Sequence, residues 1–346
     1  MSKQLRNPAV ECYRVLLMFG ICLLHCITAG PFNKDWFIFG IAGPANLLAT
    51  CVNGFVFISG WYGIRTTAPR VARFYLVALS CGLVFAPIAL GFGLWAPSDL
   101  LVKILRWGTT QWFLSAYVVL MLVAPVINYF VETAPRKILI PGLCALAALG
   151  LWSFGTNLPI VGRHVPNSAG LGAYTALSLI MTYTFARVCA VHLRDFLTRR
   201  SVVVLFLASI PCVMFGLGRY SSPFSMIVAG GVFVLFERVI RVPNWCGRLA
   251  TLLAPSMFSV YLLHSDGRDG FALITQFERF LAGGGVNPYL VCVLAAVAVF
   301  ACCVLLDVPR RILVWMMRRG NVRVERGENS RVEHREHKER SLNERG

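Results

Sequence analysis

The chain has 346 residues, 57% of them apolar and only 14% charged, with a mean hydropathy of +0.67. Soluble domains average roughly half apolar and a quarter charged, so a water-soluble fold is excluded, and too little chain is left between apolar runs for a sizeable extramembrane domain. The net charge of +17 is not a nucleic-acid footprint, because Lys and Arg lie mainly in short loops between apolar runs, where the positive-inside bias puts them.

An apolar run of about 18 residues is long enough to cross a hydrocarbon core of roughly 30 Å as a helix. The first run, 12–29, follows Lys3 and Arg6 and ends on small residues at Ala29, which is the outline of a signal peptide. Arg14 and His25 interrupt it, so an uncleaved first helix is expected. Further runs lie at 42–63, 74–95, 112–131, 138–155, 168–188, 201–217, 222–239, 250–264 and 287–306, separated by Pro, Gly or charge clusters. The expected fold is all-α, a polytopic membrane bundle of about ten helices.

With the N-terminus inside, the cytoplasmic segments hold Lys3 and Arg6; Arg65, Arg70 and Arg73; Arg136 and Lys137; Arg187, Arg194, Arg199 and Arg200; and Arg238, Arg241 and Arg248. The outer segments hold Lys34, Lys103, Arg106, Arg163, Arg219, Arg268 and Arg279, an asymmetry of about two to one. Both termini are then expected in the cytoplasm, with the chain in the cytoplasmic membrane. The last run ends at Asp307, and Arg310 and Arg311 open a short amphipathic stretch. A transmembrane domain over 1–317 is expected to precede a charged, disordered tail over 318–346, whose interleaved Arg, Glu, His and Asn cannot bury enough apolar surface to fold alone.

Most of the twelve cysteines fall within or at the ends of apolar runs, where they act as small hydrophobes. There is no C-x-x-C pair, and Cys22, His25 and Cys26 have no second ligand pair elsewhere, so no metal site is expected.

The chemistry is concentrated in the first run. Ionisable residues are costly in lipid and face a cavity or a partner. Arg14 and His25 are eleven residues apart, which places them within about 20° of one helix face and about 16 Å apart along the axis. An arginine near the cytoplasmic end can grip phosphate with its guanidinium fork, and a histidine deeper in can act as a base. An extended pantetheine arm spans roughly 15 Å, the length of four or five residues of chain, so coenzyme A held at Arg14 would present its thioester to His25. A plainer reading is available for each: Glu11, one turn before Arg14, can pair with it, and a lone histidine in a membrane helix can be a packed core residue.

Four segments in order resemble the acyltransferase 3 family of integral-membrane acyltransferases. They are Arg14 and His25 at the family's Arg, ten residues, His spacing; the Ser-Gly helix Val52 to Arg65; Trp112 to Asn128; and the Tyr-Leu-Leu-His element Ser259 to Ser265. The likeness runs from about residue 7 to 315, and it is strongest to members associated with capsule and exopolysaccharide synthesis. It departs from the pattern at Trp61 and Tyr62, after Ser59-Gly60, and at Asp266 and Arg268, after His264.

The resemblance implies an acyltransferase, an O-acetyltransferase, that moves an acyl group from cytosolic acyl-CoA to a hydroxyl of a glycan or lipid-linked glycan. Acyl-CoA is a donor substrate, with no permanently bound cofactor. His25 is then catalytic and Arg14 binds the donor, with Arg65, Arg70 and Arg73 completing a phosphate cradle unless they merely set topology. Ser59, Trp112, Tyr117 and His264 are supporting candidates: Ser59 by a close backbone approach or by helix packing, Trp112 and Tyr117 in an interfacial belt or an acceptor cavity, and His264 as a structural hydrogen bond or by orienting the acceptor or His25. The competing class is a non-catalytic carrier for lipid-linked glycans, for which repeat symmetry or paired broken helices would be expected. Homo-oligomerisation is compatible with the sequence.

Overall fold

The computed structural model describes residues 7–29, 42–107, 111–155, 175–198, 200–217, 222–265 and 269–317, and among them there is no strand. The expectations for Lys3, Arg6, Lys34, Asp266, Arg268 and the 318–346 tail lie outside the described residues. The helices are α1 (Pro8–Ala29), α2 (Ala42–Tyr62), α3 (Ala68–Gly91), α4 (Leu100–Arg106), α5 (Trp112–Thr133), α6 (Arg136–Gly155), α7 (Ala176–His192), α8 (Arg200–Cys212), α9 (Pro223–Val234), α10 (Asn244–Leu253), α11 (Met257–His264), α12 (Asp269–Ala282) and α13 (Pro288–Leu306).

Five described stretches are long and apolar enough to cross a membrane: Pro8–Thr28, Ala68–Gly91, Trp112–Thr133, Asn244–His264 and Pro288–Met317. Ala176–His192 and Val203–Phe215 are shorter apolar helices. The protein is a helical membrane bundle. The fourth of these stretches is α10 and α11 joined by a 3₁₀ turn at Ala254–Ser256; Pro255 lacks the N–H that would continue the α-helical ladder, so the helix breaks there and restarts at Met257.

The chain divides into two compact units, Met1–Val304 and Leu305–Gly346. In the first, α1 is the inner helix. Its apolar span is 67% buried, against 28% for the span that contains α13, and it contacts α2, α10, α11 and α12. Val10, Tyr13 and Leu17 form one of its faces and join Phe57, Ile58 and Trp61 of α2, Ala186 and Cys189 of α7, and Phe233 and Val234 of α9 in a core cluster. The Tyr13 hydroxyl donates to the Ala229 carbonyl at 3.1 Å, as a phenol buried among apolar groups must. Lower on α1, Cys26 packs with Ile274 of α12 and Ala295 and Ala296 of α13.

The residues that depart from the family pattern at the end of α2 have a local use. Trp61 stacks into this cluster, 5.2 Å from the Phe233 ring, with the Arg194 guanidinium 5.8 Å over its face. Tyr62 donates to Glu237 at 2.9 Å. The turn that follows α2 is pinned by Asn128 of α5, which donates to the Ile64 carbonyl at 3.0 Å and accepts from the Tyr183 hydroxyl at 2.7 Å.

In the second unit, described from Leu305 to Met317, the buried Asp307 carboxylate accepts two hydrogen bonds from Arg310, Nε at 2.6 Å and Nη2 at 2.8 Å. The bidentate pair opens the helical residues 308–317.

Helix α2 runs between α1 and α7 by means of its glycines. A Cβ on Gly60 would lie 2.6 Å from the Tyr183 carbonyl oxygen and 2.7 Å from Ala186 Cβ, so the close crossing with α7 requires a residue without a side chain. Gly142, in α6, has nothing within 4 Å of an added Cβ. Gly60→Val is expected to destabilise the solubilised protein by about 1–3 kcal/mol through overpacking against a backbone that cannot yield, whereas Gly142→Ala should be neutral or slightly stabilising. Thermal unfolding in detergent checks both; equal effects at the two positions would contradict the packing account.

Candidate functional site

Along α1 the positions Arg14, Met18, Ile21 and His25 fall on one stripe, next to the face used for the Tyr13 cluster. Arg14, Met18 and Ile21 line a cavity of about 340 Å³ that is also bounded by Ser59 of α2, Phe74 of α3, Phe113 and Tyr117 of α5, and Ala254, Met257, Phe258 and Tyr261 of the α10–α11 segment. Ala254, Met257, Phe258 and Tyr261, at i, i+3, i+4 and i+7, share one face of this segment through the 3₁₀ turn. On α1 the cavity lining stops at Ile21, one turn short of His25, and on α11 it stops at Tyr261, one turn short of His264.

At the Arg14 end the guanidinium Nη1 donates to Glu11 Oε1 at 2.7 Å. Glu11 is 2% exposed, the Arg14 side chain 30%. The plain reading of Arg14 as a partner for Glu11 is therefore present, and it does not exhaust the group: the bond uses one of several N–H donors, and Arg14 also lines the cavity. Glu11 Oε2 is buried with no hydrogen-bond partner among the described residues. Further polar groups surround this end, with Asn7 donating to Glu237 Oε2 at 3.0 Å beside the Tyr62 bond.

In the middle, the Ser59 hydroxyl donates to the Phe55 carbonyl at 3.0 Å and lies 2.9 Å from the Tyr117 hydroxyl. A serine has one hydroxyl proton, so Tyr117 donates to Ser59. The Tyr117 ring lies on Phe113, with centroids 5.5 Å apart. From there an aromatic series leads inward: Phe113 meets Tyr261 edge-on at 5.3 Å, and Tyr261 meets the His264 ring edge-on at 6.2 Å.

At the inner end, His25 Nδ1 lies 2.9 Å from His264 Nε2, and His264 Nδ1 lies 2.6 Å from the Val260 carbonyl oxygen. His264 is 3% exposed and His25 half-buried. The Phe271 ring of α12 packs edge-on against His25 at 5.1 Å. The end of α11 is held from two sides. The Ser265 hydroxyl sits 3.0 Å from Gln111 Oε1, just ahead of α5. Gly270 of α12 comes so near that an added Cβ would be 2.6 Å from the His264 carbonyl oxygen.

Of the residues singled out in the sequence, Arg14, Ser59 and Tyr117 share the cavity and His25 and His264 are in direct contact. Ser59 and Gly60 separate in role, the first lining the cavity and the second packing on α7. Arg65 and Arg73 are exposed and do not line the cavity; Arg65 instead accepts a hydrogen bond from Arg70 through its carbonyl oxygen. Trp112 is half-buried and packs edge-on against Phe113 at 5.7 Å, also away from the cavity lining. The aromatic wall of Phe74, Phe113, Phe258 and Tyr261 was not singled out in the sequence; the i, i+3, i+4 spacing of Ala254, Met257, Phe258 and Tyr261 was the available sign of it.

Residues 7–308 match the family model for the acyltransferase 3 domain, described as an acyltransferase domain. No curated protein and no solved structure matches the chain. The matched stretch runs from the start of α1, with Arg14 and His25, past α11 with His264 to the end of α13, and covers most of the chain: the protein belongs to the acyltransferase 3 family and is a multi-pass membrane acyltransferase.

Proposed function

We propose that this acyltransferase takes an acetyl group from cytosolic acetyl-CoA and delivers it to a hydroxyl of a cell-envelope glycan or glycolipid, in the manner ascribed to the capsule- and exopolysaccharide-associated members of its family. The observation that carries the reading is the cavity beside one stripe of α1, with a guanidinium at one end and a histidine pair one turn beyond the other. The stripe from residue 14 to residue 25 is about 16 Å long by helical rise, the span of an extended pantetheine arm, and the apolar and aromatic lining of the cavity beside its first two turns suits a thioester tail rather than a free sugar.

In this reading Arg14 holds the CoA phosphates and the arm lies past the Ser59–Tyr117 pair. His25 accepts the proton of the acceptor hydroxyl as that oxygen attacks the thioester carbonyl. The C–S bond breaks, and the proton passes from His25 to the departing thiolate, giving the ester and free CoA. An acyl-His25 intermediate would use the same two groups in two steps.

The two ends of α1 should separate kinetically. His25→Ala is expected to lower acyl transfer by about 10²–10⁴-fold while leaving binding of a CoA analogue nearly unchanged. Arg14→Ala is expected to weaken analogue binding by about 10–100-fold, the worth of charge-assisted hydrogen bonds. Arg14→Lys recovers only part of it, since a point charge cannot reproduce the guanidinium fork. Because Arg14→Ala leaves Glu11 buried and unpaired, the same measurement is made with Glu11→Gln added. Native transfer by His25→Ala, or a wild-type protein that binds no CoA analogue, would overturn the enzyme reading and favour the carrier.

The donor route also requires the Arg14 end to face the cytoplasm. Reporters fused after Arg200 and after Gly346 are expected to read cytoplasmic, as the basic-loop asymmetry implies. A periplasmic or external signal at either would reverse the orientation and remove cytosolic CoA as the donor.

A further inference from the structure

The hydrogen bonds around the two imidazoles have a direction. A backbone carbonyl oxygen can only accept, so the 2.6 Å contact to Val260 places a proton on His264 Nδ1. A neutral imidazole carries a single N–H, which leaves His264 Nε2 as a lone pair. Across 2.9 Å that lone pair accepts from His25 Nδ1–H. The Nε2 of His25 is then without a proton.

We propose that His264 is a positioning residue: it fixes His25 in the Nδ1–H tautomer and so leaves Nε2 as the atom that takes the hydroxyl proton. The inference deepens the reading of His25 as the base and rests on it. The choice of a second histidine has a physical reason. A carboxylate would orient the imidazole equally well, but would leave a formal charge among apolar helices whenever His25 is neutral, and such a charge is costly there. His264 instead offers a neutral acceptor that still bonds Nδ1–H after His25 has picked up its second proton. Its own ring is held by the Val260 carbonyl, and its helix end by the Ser265–Gln111 contact and the close approach of Gly270. The acceptor atom is therefore fixed relative to α1 by the packing of α5 and α12 on α11.

The test uses the full-length protein in detergent or nanodiscs, with acetyl-CoA and the native membrane glycan fraction. In His264→Leu the acceptor is lost, and kcat is expected to fall at least about tenfold with the KM for acetyl-CoA little changed. In His264→Gln a side-chain amide oxygen can occupy the place of Nε2, and kcat is expected to return to within a few fold of wild type. ¹⁵N-histidine spectra of the wild-type protein should show His25 protonated on Nδ1 and bare on Nε2, a readout that needs neither a variant nor turnover. Wild-type kcat in His264→Leu, a His264→Gln variant as slow as His264→Leu, or a proton on His25 Nε2 would each overturn the proposal. If the wild-type protein transfers no acyl group, the reading of His25 as base fails by itself, and the spectrum still decides the tautomer.

Discussion

A helix that carries an arginine and a histidine through apolar surroundings has to supply each with a partner, because an unpaired charge or polar group in that setting costs several kcal/mol. In α1 this requirement organises the neighbouring helices. Glu11 meets Arg14 within the helix itself, so the Arg14 end needs only one turn of sequence. His25 has no such partner in α1 and takes one from α11, which must end at the depth of His25 and be held there. The break at Pro255, the tie from Ser265 to Gln111 and the approach of Gly270 all fix that position. The face of α1 that carries Tyr13 meets α2 and α9, which leaves the Arg14–His25 stripe turned toward α11 and the cavity.

Much of this could be read from the sequence where the signal was local. The Arg14–His25 spacing, the pairing of Arg14 with Glu11 and the run of small residues at Ser59-Gly60 are all set within a few turns of one helix. The His25–His264 contact joins residues 239 positions apart, and nothing in either segment states the register between them. Charge counting leads only to the expectation that Arg65 and Arg73 lie on the same side as Arg14. Whether they turn toward the cavity depends on the turn pinned by Asn128, which sequence could not supply.

The aromatic wall was hidden for a different reason. In a soluble protein an apolar stripe marks the inside, whereas in a membrane helix the lipid-facing side is as apolar as a cavity wall, so the spacing of Ala254, Met257, Phe258 and Tyr261 marks a face without saying whether it meets lipid or a cavity. In α2 the polar residue marks the interior: Asn53 is buried, 3.5 Å from the Thr182 hydroxyl, where the helix packs on α1, α7 and α9.

The polar groups of the site are sorted by depth in a way that electrostatics favours. The end near the start of α1 holds formal charges, Arg14 with Glu11 and Glu237 with its two hydrogen-bond donors, and the Arg14 side chain keeps 30% exposure. The deeper end holds two imidazoles, a serine, an amide and a backbone carbonyl, joined by hydrogen bonds with no carboxylate, lysine or arginine among them. A charge is tolerable where solvent or a counter-ion is within reach, and in the apolar middle the tolerable arrangement is one in which each donor meets an acceptor without net charge. A phosphate-bearing donor and a proton-transfer step have the same two requirements, charge at one end and a neutral base at the other. In the reading proposed above, a single stripe of one helix, about 16 Å long by its rise, serves both, because its partners change from ionic to neutral along its length.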